Sequence, residues 1–406
     1  METQPPPPES MSLDVSTLDE RLLALAHLSS SSTYNKQKSS LQMELEQFLA
    51  SLPARKVLFS ATPRDLCRFL VWKDSKGRTV VHEQRCPFFG HKGSSSCLCP
   101  KRLAFGTIDS IIGKLRAIFN EAGRRGEWDP RLLLGNPASD SSLKNYLKAV
   151  TSEQLQARTL PTQANPLFVD DLQQLCSSID LKLQREGLSS LDMFILLRDQ
   201  AFFKTLFFSG DRAGDLGQVK TPEILRFPGN AGLLFNHVWG KTLRDGSANL
   251  FGLRRHEDPR ICPVKAIDAY VEFANAIGIS LSKGFLFRPT TPDGAVADKP
   301  LSSSTAESRL KFLCRDADLN VSPTLHSFRS GCAITLAFSG SSLEDIMAHA
   351  GWKTGSSARH YLQLSKVMSV DSPSMSLSKK ASGSEQTVAL YRDRNNLKLF
   401  TPAFPI

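Results

Sequence analysis

Leu325-His326-Ser327-Phe328-Arg329 stands near the carboxyl end of the chain and is followed by Ala350-Gly351-Trp352 and by His360-Tyr361. Two further stretches come earlier, Ser209-Gly210-Asp211-Arg212-Ala213-Gly214-Asp215-Leu216 and Trp239-Gly240-Lys241-Thr242. His326 and Arg329 are three residues apart on a predicted helix, so their side chains leave it on one face. Together the stretches supply guanidinium groups, an imidazole, an amine and a phenol. Groups of these kinds can cut a phosphodiester without a metal ion.

The pattern of apolar residues predicts a mainly helical protein with one small antiparallel β-sheet. Residues 106–122 form the clearest helix, because their apolar side chains recur on one face. Thr62 is a suitable N-cap for another helix, with Pro63 in its first turn. Further helices are predicted at about 140–157, 167–184, 190–208, 263–276, 303–316, 325–338 and 342–349. Strands are predicted at Ile224–Phe227, Gly232–Trp239 and Asn249–Leu253.

A chain of 406 residues is too long for one ordinary core, so we expect two domains. Residues 1–35 are rich in Pro, Ser and Thr, which predicts a disordered tail with at most a short helix around Leu18–Leu28. Residues 158–166 are polar and aperiodic, as is typical of a linker. We therefore expect a helical basic domain at 36–157, a second domain at 167–370 and a carboxyl-terminal tail at 371–406.

The positive charge of the chain is concentrated in one segment. The net charge is +10, and residues 53–160 hold about ten more Lys and Arg than Asp and Glu. Such an arm is typical of a surface that binds nucleic acid, although a soluble, lysine-rich surface would have the same composition. The candidate phosphate contacts are Lys101, Arg102, Lys114, Arg116, Arg124 and Arg125.

Several classes of protein are excluded by composition. No apolar run approaches the length of a membrane span, and the amino terminus does not read as a secretion signal, so an intracellular protein is expected. Eight scattered cysteines do not make a disulfide framework.

Histidine and cysteine residues also cluster within the basic segment. They are His82, Cys86, His91, Cys97 and Cys99. Three thiols and one imidazole can hold tetrahedral zinc, and Cys86, His91, Cys97 and Cys99 are the predicted ligands. Free cysteines in a loop are the alternative, since this spacing is not that of a standard zinc finger.

The five motifs together resemble the catalytic set of the tyrosine recombinase, or phage integrase, family. The matching residues are Arg212 with Asp215-Leu216, Gly240-Lys241-Thr242, Leu325-His326 with Arg329, Gly351-Trp352 and Tyr361. The set is most similar to its Cre-like variant, which also has Gly-Trp where most relatives have Gly-His. The resemblance covers about 200–367 by motif, and 39–160 more loosely resembles the helical core-binding DNA domain of the family. The cysteine-bearing arm also looks like that of mobile-element recombinases of eukaryotes, such as cryptons.

The resemblance implies catalytic roles for the matching residues. Arg212 and Arg329 would bind the non-bridging oxygens of the scissile phosphate, because a guanidinium group can donate two parallel hydrogen bonds. Tyr361 would attack phosphorus and form a covalent 3′-phosphotyrosine, with His326 as base or proton relay. Tyr391 is the other tyrosine after His326, but no Gly-Trp element precedes it.

Three supporting roles are implied in the same way. Lys241 would protonate the departing 5′-oxygen, and Lys220 and Lys265 are its rivals. Trp352 would donate its indole N–H to a phosphate oxygen but cannot transfer a proton. Asp215 would orient Arg212 or His326, unless it is simply a solvated acid.

The expected function is a site-specific DNA recombinase or integrase that needs no cofactor for catalysis. It would bind double-stranded DNA as a homo-tetramer on two sites, with the tail at 371–406 docked on a neighbouring subunit, and would lie in the nucleus if the host is a eukaryote. Two alternatives remain: a type IB topoisomerase-like enzyme, and a domesticated DNA-binding protein that no longer cuts.

Overall fold

The computed structural model describes residues 15–28, 32–90, 96–159, 164–240, 243, 248–317, 319, 322–355, 358–359 and 362. The chain divides into two compact units, residues 1–162 and 163–406. Each unit has its own hydrophobic core.

Unit 1 is helical, with one small hairpin. Its helices are α1 (Val15–Leu28), α2 (Ser32–Ser51), α3 (Pro63–Asp74), α4 (Phe105–Glu121) and α5 (Ser141–Gln156). The hairpin pairs β1 (Thr79–Val80) with β2 (Lys101–Arg102) in antiparallel register. The core is formed by the apolar faces of α2 to α5.

The local sequence explains why α3 and α4 form where they do. The Thr62 backbone N–H and hydroxyl both donate to the Asp65 carboxylate, which caps α3 as predicted. The predicted apolar face of α4 is buried from Ile108 to Phe119, and this face positions α4 against α2 and α5.

The amino-terminal region contains more helix than the sequence indicated. Helix α1 begins at Val15, before the predicted short helix, and α2 begins at Ser32, before the first apolar repeat. The early turns of α2 are polar, and an ion pair from Lys38 to Glu121 of α4 attaches them to the unit. An ion pair to a distant helix leaves no periodic signal, so the sequence placed this boundary too late.

Unit 2 packs helices around a three-stranded sheet. Its helices are α6 (Val169–Leu183), α7 (Ser190–Ser209), α8 (Ala213–Leu216), α9 (Pro263–Ala276), α10 (Ser303–Cys314), α11 (Leu325–Phe338) and α12 (Leu343–Ala350). The sheet has the order β3 (Ile224–Arg226), β4 (Gly232–His237) and β5 (Asn249–Arg254), antiparallel throughout. Phe235 and Phe251 face each other across β4 and β5 with stacked rings, which fixes the register.

Helix α7 is the centre of unit 2. It is buried on nearly every side and packs against α6, α9 and α11. Because apolar residues lie on all sides of this helix, packing holds its carboxyl end in one position in the core. The Arg212 motif begins at that point.

The predicted fold class, mainly helical with small antiparallel sheets, is confirmed. Within the described part of the chain, every helix is too short or too polar to span a membrane.

Candidate active site

The Arg212 motif is a sharp turn at the carboxyl end of α7. Gly210 caps the helix in the left-handed region, at φ 59°. A Cβ at this position would lie 3.1 Å from the Cys332 sulfur of α11, so a side chain is disfavoured both by the backbone conformation and by the tight contact. Helix α8 starts directly after Arg212, whose side chain is about one-third exposed (34%).

Arg329 connects this turn to α11. Its Nη1 donates a hydrogen bond to the Gly210 carbonyl oxygen at 2.5 Å. Its guanidinium carbon lies 4.9 Å from the centre of the Trp352 ring, an ordinary cation–π distance. Arg329 and Trp352 are both buried, and the guanidinium group of the predicted phosphate ligand lies over the ring of the predicted indole donor.

His326 lies one turn before Arg329 on α11. The first turn of α11 is held in place because the Leu325 N–H donates to Glu307 and the Thr324 N–H donates to Ser327. The pKa of His326 is lowered from its usual 6.5, first by partial burial and then by the positive charges of Arg329 and Arg212. The ring is therefore mainly neutral at pH 7, in the form that can accept a proton.

Asp215 contacts Arg212 as the sequence analysis expected. Its Oδ2 lies 3.3 Å from Arg212 Nη1, and the carboxylate is mostly buried. A Cβ built on Gly240 would lie 3.3 Å from the same carboxylate. Asp215 therefore packs between Arg212 and the residue that immediately precedes Lys241 in the sequence.

Helix α12 contributes a contact that sequence reasoning did not find. Nε2 of His349 forms a hydrogen bond with the Phe208 carbonyl oxygen at 2.8 Å. This bond joins α12, which leads to Trp352, to the end of α7. A single histidine on a helix gives no sequence signal for such a contact.

A small apolar cluster anchors the segment around Tyr361. Ala358 and Leu362 are buried in it together with Trp352 and Ile346. Tyr361 itself lies outside the described residues, as do Lys241 and His91. Of the rivals to Lys241, Lys220 lies over the Phe285 ring and Lys265 is exposed on α9.

The geometry therefore joins Arg212, Asp215, His326, Arg329 and Trp352 around the end of α7. Residues 195–367, a range that contains all five, match the phage integrase family. This part of the chain carries a phage integrase family domain. The matched residues include the predicted catalytic motifs. Unit 1 matches a different family.

Unit 1 carries an ALOG domain, matched over residues 25–152. Protein LIGHT-DEPENDENT SHORT HYPOCOTYLS 5 of Arabidopsis thaliana is 35% identical over 142 residues, which are 34% of this chain and 75% of that protein. Protein LIGHT-DEPENDENT SHORT HYPOCOTYLS 6 of the same plant is 33% identical over 131 residues, 32% of this chain and 63% of that protein. Protein G1-like5 of Oryza sativa subsp. japonica is 34% identical over 130 residues, which are 32% of this chain and 60% of that protein.

Two solved integrase structures align over most of the chain at low identity. A lambda integrase dimer bound to a COC' core site shares 16% identity over 86% of this chain and 76% of that chain, with a TM-score of 0.46. The Tn1549 transposon integrase in complex with circular intermediate DNA shares 14% identity over 90% of this chain and 94% of that chain, with a TM-score of 0.47.

The ALOG domain contains a candidate metal centre. One ligand atom from each of His82, Cys86, Cys97 and Cys99 lies within 4.8 Å of all the others. His82 Nδ1 is 3.4 Å from the Cys86 sulfur and 3.5 Å from the Cys97 sulfur. These separations are close to the roughly 3.5 Å edges of a tetrahedral zinc site. The residues therefore fit structural zinc.

One residue of the metal prediction, His91, lies outside the described residues. His82 supplies the imidazole among the described residues, whereas the sequence analysis chose His91. The β1–β2 hairpin brings His82 to the cysteines. The Val81 backbone N–H donates to the Pro100 carbonyl oxygen next to the β1–β2 pairing, so His82 comes opposite Cys99. Strand pairing was the missing signal, because strands this short are not visible in the pattern of apolar residues.

The predicted DNA contacts of the basic segment divide into two groups. Arg124 is buried; its Nη1 donates to the Leu58 and Ala61 carbonyl oxygens at 2.8 Å each, and its Nε donates to Gly135. It is a structural residue, which corrects the prediction that it contacts phosphate. The others keep solvent access: Lys101, Arg102, Lys114, Arg116 and Arg125.

Proposed function

We propose that this protein, through its phage integrase domain, cuts and rejoins DNA by way of a 3′-phosphotyrosine formed by Tyr361. The observation that carries the proposal is the convergence of Arg212, His326 and Arg329. The turn that contains Arg212 accepts a hydrogen bond from Arg329, and both guanidinium charges act on the His326 ring. Two fixed positive charges beside a neutral imidazole suit a phosphate that gains negative charge in the transition state.

The proposed reaction conserves a phosphodiester bond at each step. The Tyr361 oxygen attacks phosphorus while its proton passes to His326, and the bond from phosphorus to the 5′-oxygen breaks. Lys241 gives the departing 5′-oxygen a proton. A 5′-hydroxyl of the same or another strand then attacks the phosphotyrosine and releases Tyr361. Because one ester replaces another, the reaction needs neither ATP nor a catalytic metal ion.

Arg212 and Arg329 have different parts in this proposal. Arg212 is partly exposed and can form the paired hydrogen bonds to phosphate oxygens. Arg329 is already bonded to Gly210 through one nitrogen and stacked on Trp352, so it supplies a pre-positioned charge at the floor of the site. Preorganised charge lowers the barrier because nothing has to reorient as the reaction proceeds.

Unit 1 would hold the DNA duplex for unit 2. The exposed cations of the basic segment can neutralise phosphates, which gives affinity with little sequence information. Strand exchange between two duplexes breaks four strands, and each copy of the chain contributes one nucleophile. We therefore propose a tetramer on two DNA sites, acting in the nucleus of a eukaryotic host.

A trapping experiment tests the proposed reaction. The substrate is a pool of duplexes with a randomised core and a nick a few nucleotides from the expected cut, so that the short 5′-hydroxyl fragment diffuses away. Wild-type protein should form a covalent adduct that survives denaturing electrophoresis, and Tyr361→Phe should form none. Tyr391→Phe is the matched control and should react like wild type. An adduct formed by Tyr361→Phe would refute the assignment of the nucleophile.

Two other functions give different outcomes. A domesticated, non-cutting protein is favoured by the position of the basic segment in unit 1, since binding there does not depend on unit 2; it would bind DNA with no adduct on any duplex. A type IB topoisomerase-like enzyme would form the adduct and relax supercoiled plasmid as a monomer, without joining two duplexes.

A further inference from the structure

A buried histidine and a buried aspartate join the sheet of unit 2 to the Arg212 turn. His237 is the last residue of β4, and Asp211 immediately precedes Arg212. His237 Nδ1 lies 3.0 Å from Asp211 Oδ2, and the two side chains are 1% and 6% exposed. No function assigned above uses either residue.

The charges around His237 favour an ion pair. Burial alone lowers the pKa of the His237 ring, but the hydrogen bond and charge of Asp211 and the charges of Asp215 and Glu223 outweigh it. The net effect raises the pKa above its usual 6.5. His237 Nδ1 therefore donates to a carboxylate acceptor, and charge-assisted bonds of this kind hold geometry well when they are buried.

Asp211 transmits this bond to the neighbouring arginine. Its Oδ1 accepts a hydrogen bond from the Arg212 backbone N–H at 2.7 Å, while Oδ2 faces His237. The Asp211 backbone N–H donates to the Ser209 hydroxyl at the end of α7. One carboxylate thus joins the end of β4 to the backbone from which the Arg212 side chain extends.

The same connection lies next to the start of the Lys241 segment. Three residues after His237, Gly240 packs against the Asp215 carboxylate, which also pairs with Arg212. The chain that leaves β4 is therefore attached to the Arg212 turn at both His237 and Gly240. Gly240 is the residue that immediately precedes Lys241 in the sequence, and Lys241 itself lies outside the described residues.

We propose that His237 is a positioning residue, which through its hydrogen bond to Asp211 holds Gly240, the residue before Lys241, in place relative to Arg212. This inference rests on the proposed function, in which Lys241 protonates the 5′-oxygen. It predicts that loss of the bond damages leaving-group protonation more than it damages phosphate binding or nucleophilic attack.

The test compares two leaving groups in single-turnover cleavage of the same trapped duplex. One substrate has the ordinary 5′-oxygen at the cut, and the other has a bridging 5′-sulfur, which departs as a thiolate without needing a proton. His237→Leu should slow adduct formation with the 5′-oxygen substrate by about ten- to a hundredfold. It should slow the 5′-sulfur substrate far less. His237→Gln, which keeps an N–H donor for Asp211, should recover part of the lost rate.

Matched controls separate this role from a loss of folding. His256→Gln changes an exposed histidine of the same unit and should leave both rates unchanged. Asp211→Asn should reproduce the selective loss. Equal slowing of the two substrates by His237→Leu would overturn the inference and assign His237 a general structural role. No adduct from wild type on either substrate is a different result, which would overturn the proposed function itself.

Discussion

Arg329 of α11 donates from Nη1 to the carbonyl oxygen of Gly210, 119 residues earlier in the chain. The bond joins the His326 helix to the turn that presents Arg212. It also explains why position 210 has no side chain, since α11 packs too closely there. The geometry of the candidate site and the packing of the core therefore depend on the same contact.

Arg329→Lys should lower the rate of adduct formation by about a hundredfold. Lysine keeps the charge but lacks the planar group that stacks on Trp352 while donating to Gly210. The measurement is single-turnover trapping on the nicked duplex pool, with thermal unfolding to check the fold. Arg359→Lys, an exposed change in the same unit, is the control; equal rates for the two variants would contradict this assignment.

The pH dependence of cleavage should report His326. Its pKa lies below 6.5, so at pH 6.5 more than half of the protein molecules carry a neutral His326 ring that can accept a proton. Between pH 8 and pH 6.5 the cleavage rate should therefore fall by less than half, and it should fall further as the pH drops through the folded-state pKa. His326→Gln should be slow and lack this acidic limb. A wild-type rate that already declines between pH 8 and 7 would contradict the assignment.

Gly210→Ala should destabilise unit 2 by about 1–2 kcal/mol more than Gly187→Ala. Both glycines have positive φ, at 59° and 75°, so the backbone penalty is similar in the two variants. Only at Gly210 would the added Cβ meet a neighbour, the Cys332 sulfur at 3.1 Å. Denaturant unfolding of both variants gives the difference, and equal losses would mean that α11 moves away at little cost.

Arg124 and Arg125 are adjacent but should behave differently. Arg124→Ala removes a buried cation from three carbonyl oxygens and should destabilise unit 1 by about 2–4 kcal/mol. Arg125→Ala should change the free energy of unfolding by less than about 0.5 kcal/mol. As a predicted phosphate contact, its loss should reduce the slope of log affinity for DNA against log salt concentration by about 0.9. Unfolding and binding at several salt concentrations measure both effects. A stable Arg124→Ala protein would disprove the structural role.

Purified protein should contain one zinc ion per chain by elemental analysis. Cys97→Ser removes one ligand of the His82 centre and should lose both the metal and the cooperative unfolding of unit 1. Cys67→Ser, on α3 outside the centre, should retain the zinc. Zinc-free wild-type protein with normal unfolding would show that the cysteines are free thiols.

Much of this architecture was predictable because its signals are local. Apolar faces, the Thr62 cap and glycine turns located α3, α4 and the three strands of unit 2 to within a few residues. The features that were missed depend on contacts between distant positions. His82 is brought to the thiols by the pairing of two strands of two residues each. Arg124 has the sequence context of a surface charge, and only its carbonyl partners show that it is buried. His349 and His237 act through partners 141 and 26 residues away, which one sequence cannot reveal.

The distance along the chain between Gly210 and Arg329 also has a consequence for synthesis. As the chain leaves the ribosome, the Arg212 turn emerges more than a hundred residues before the helix that completes it. Contacts of such wide separation form late, after the local helices. A partly made chain can therefore fold unit 1, with its own hydrophobic core, before the contact between Gly210 and Arg329 has formed in unit 2.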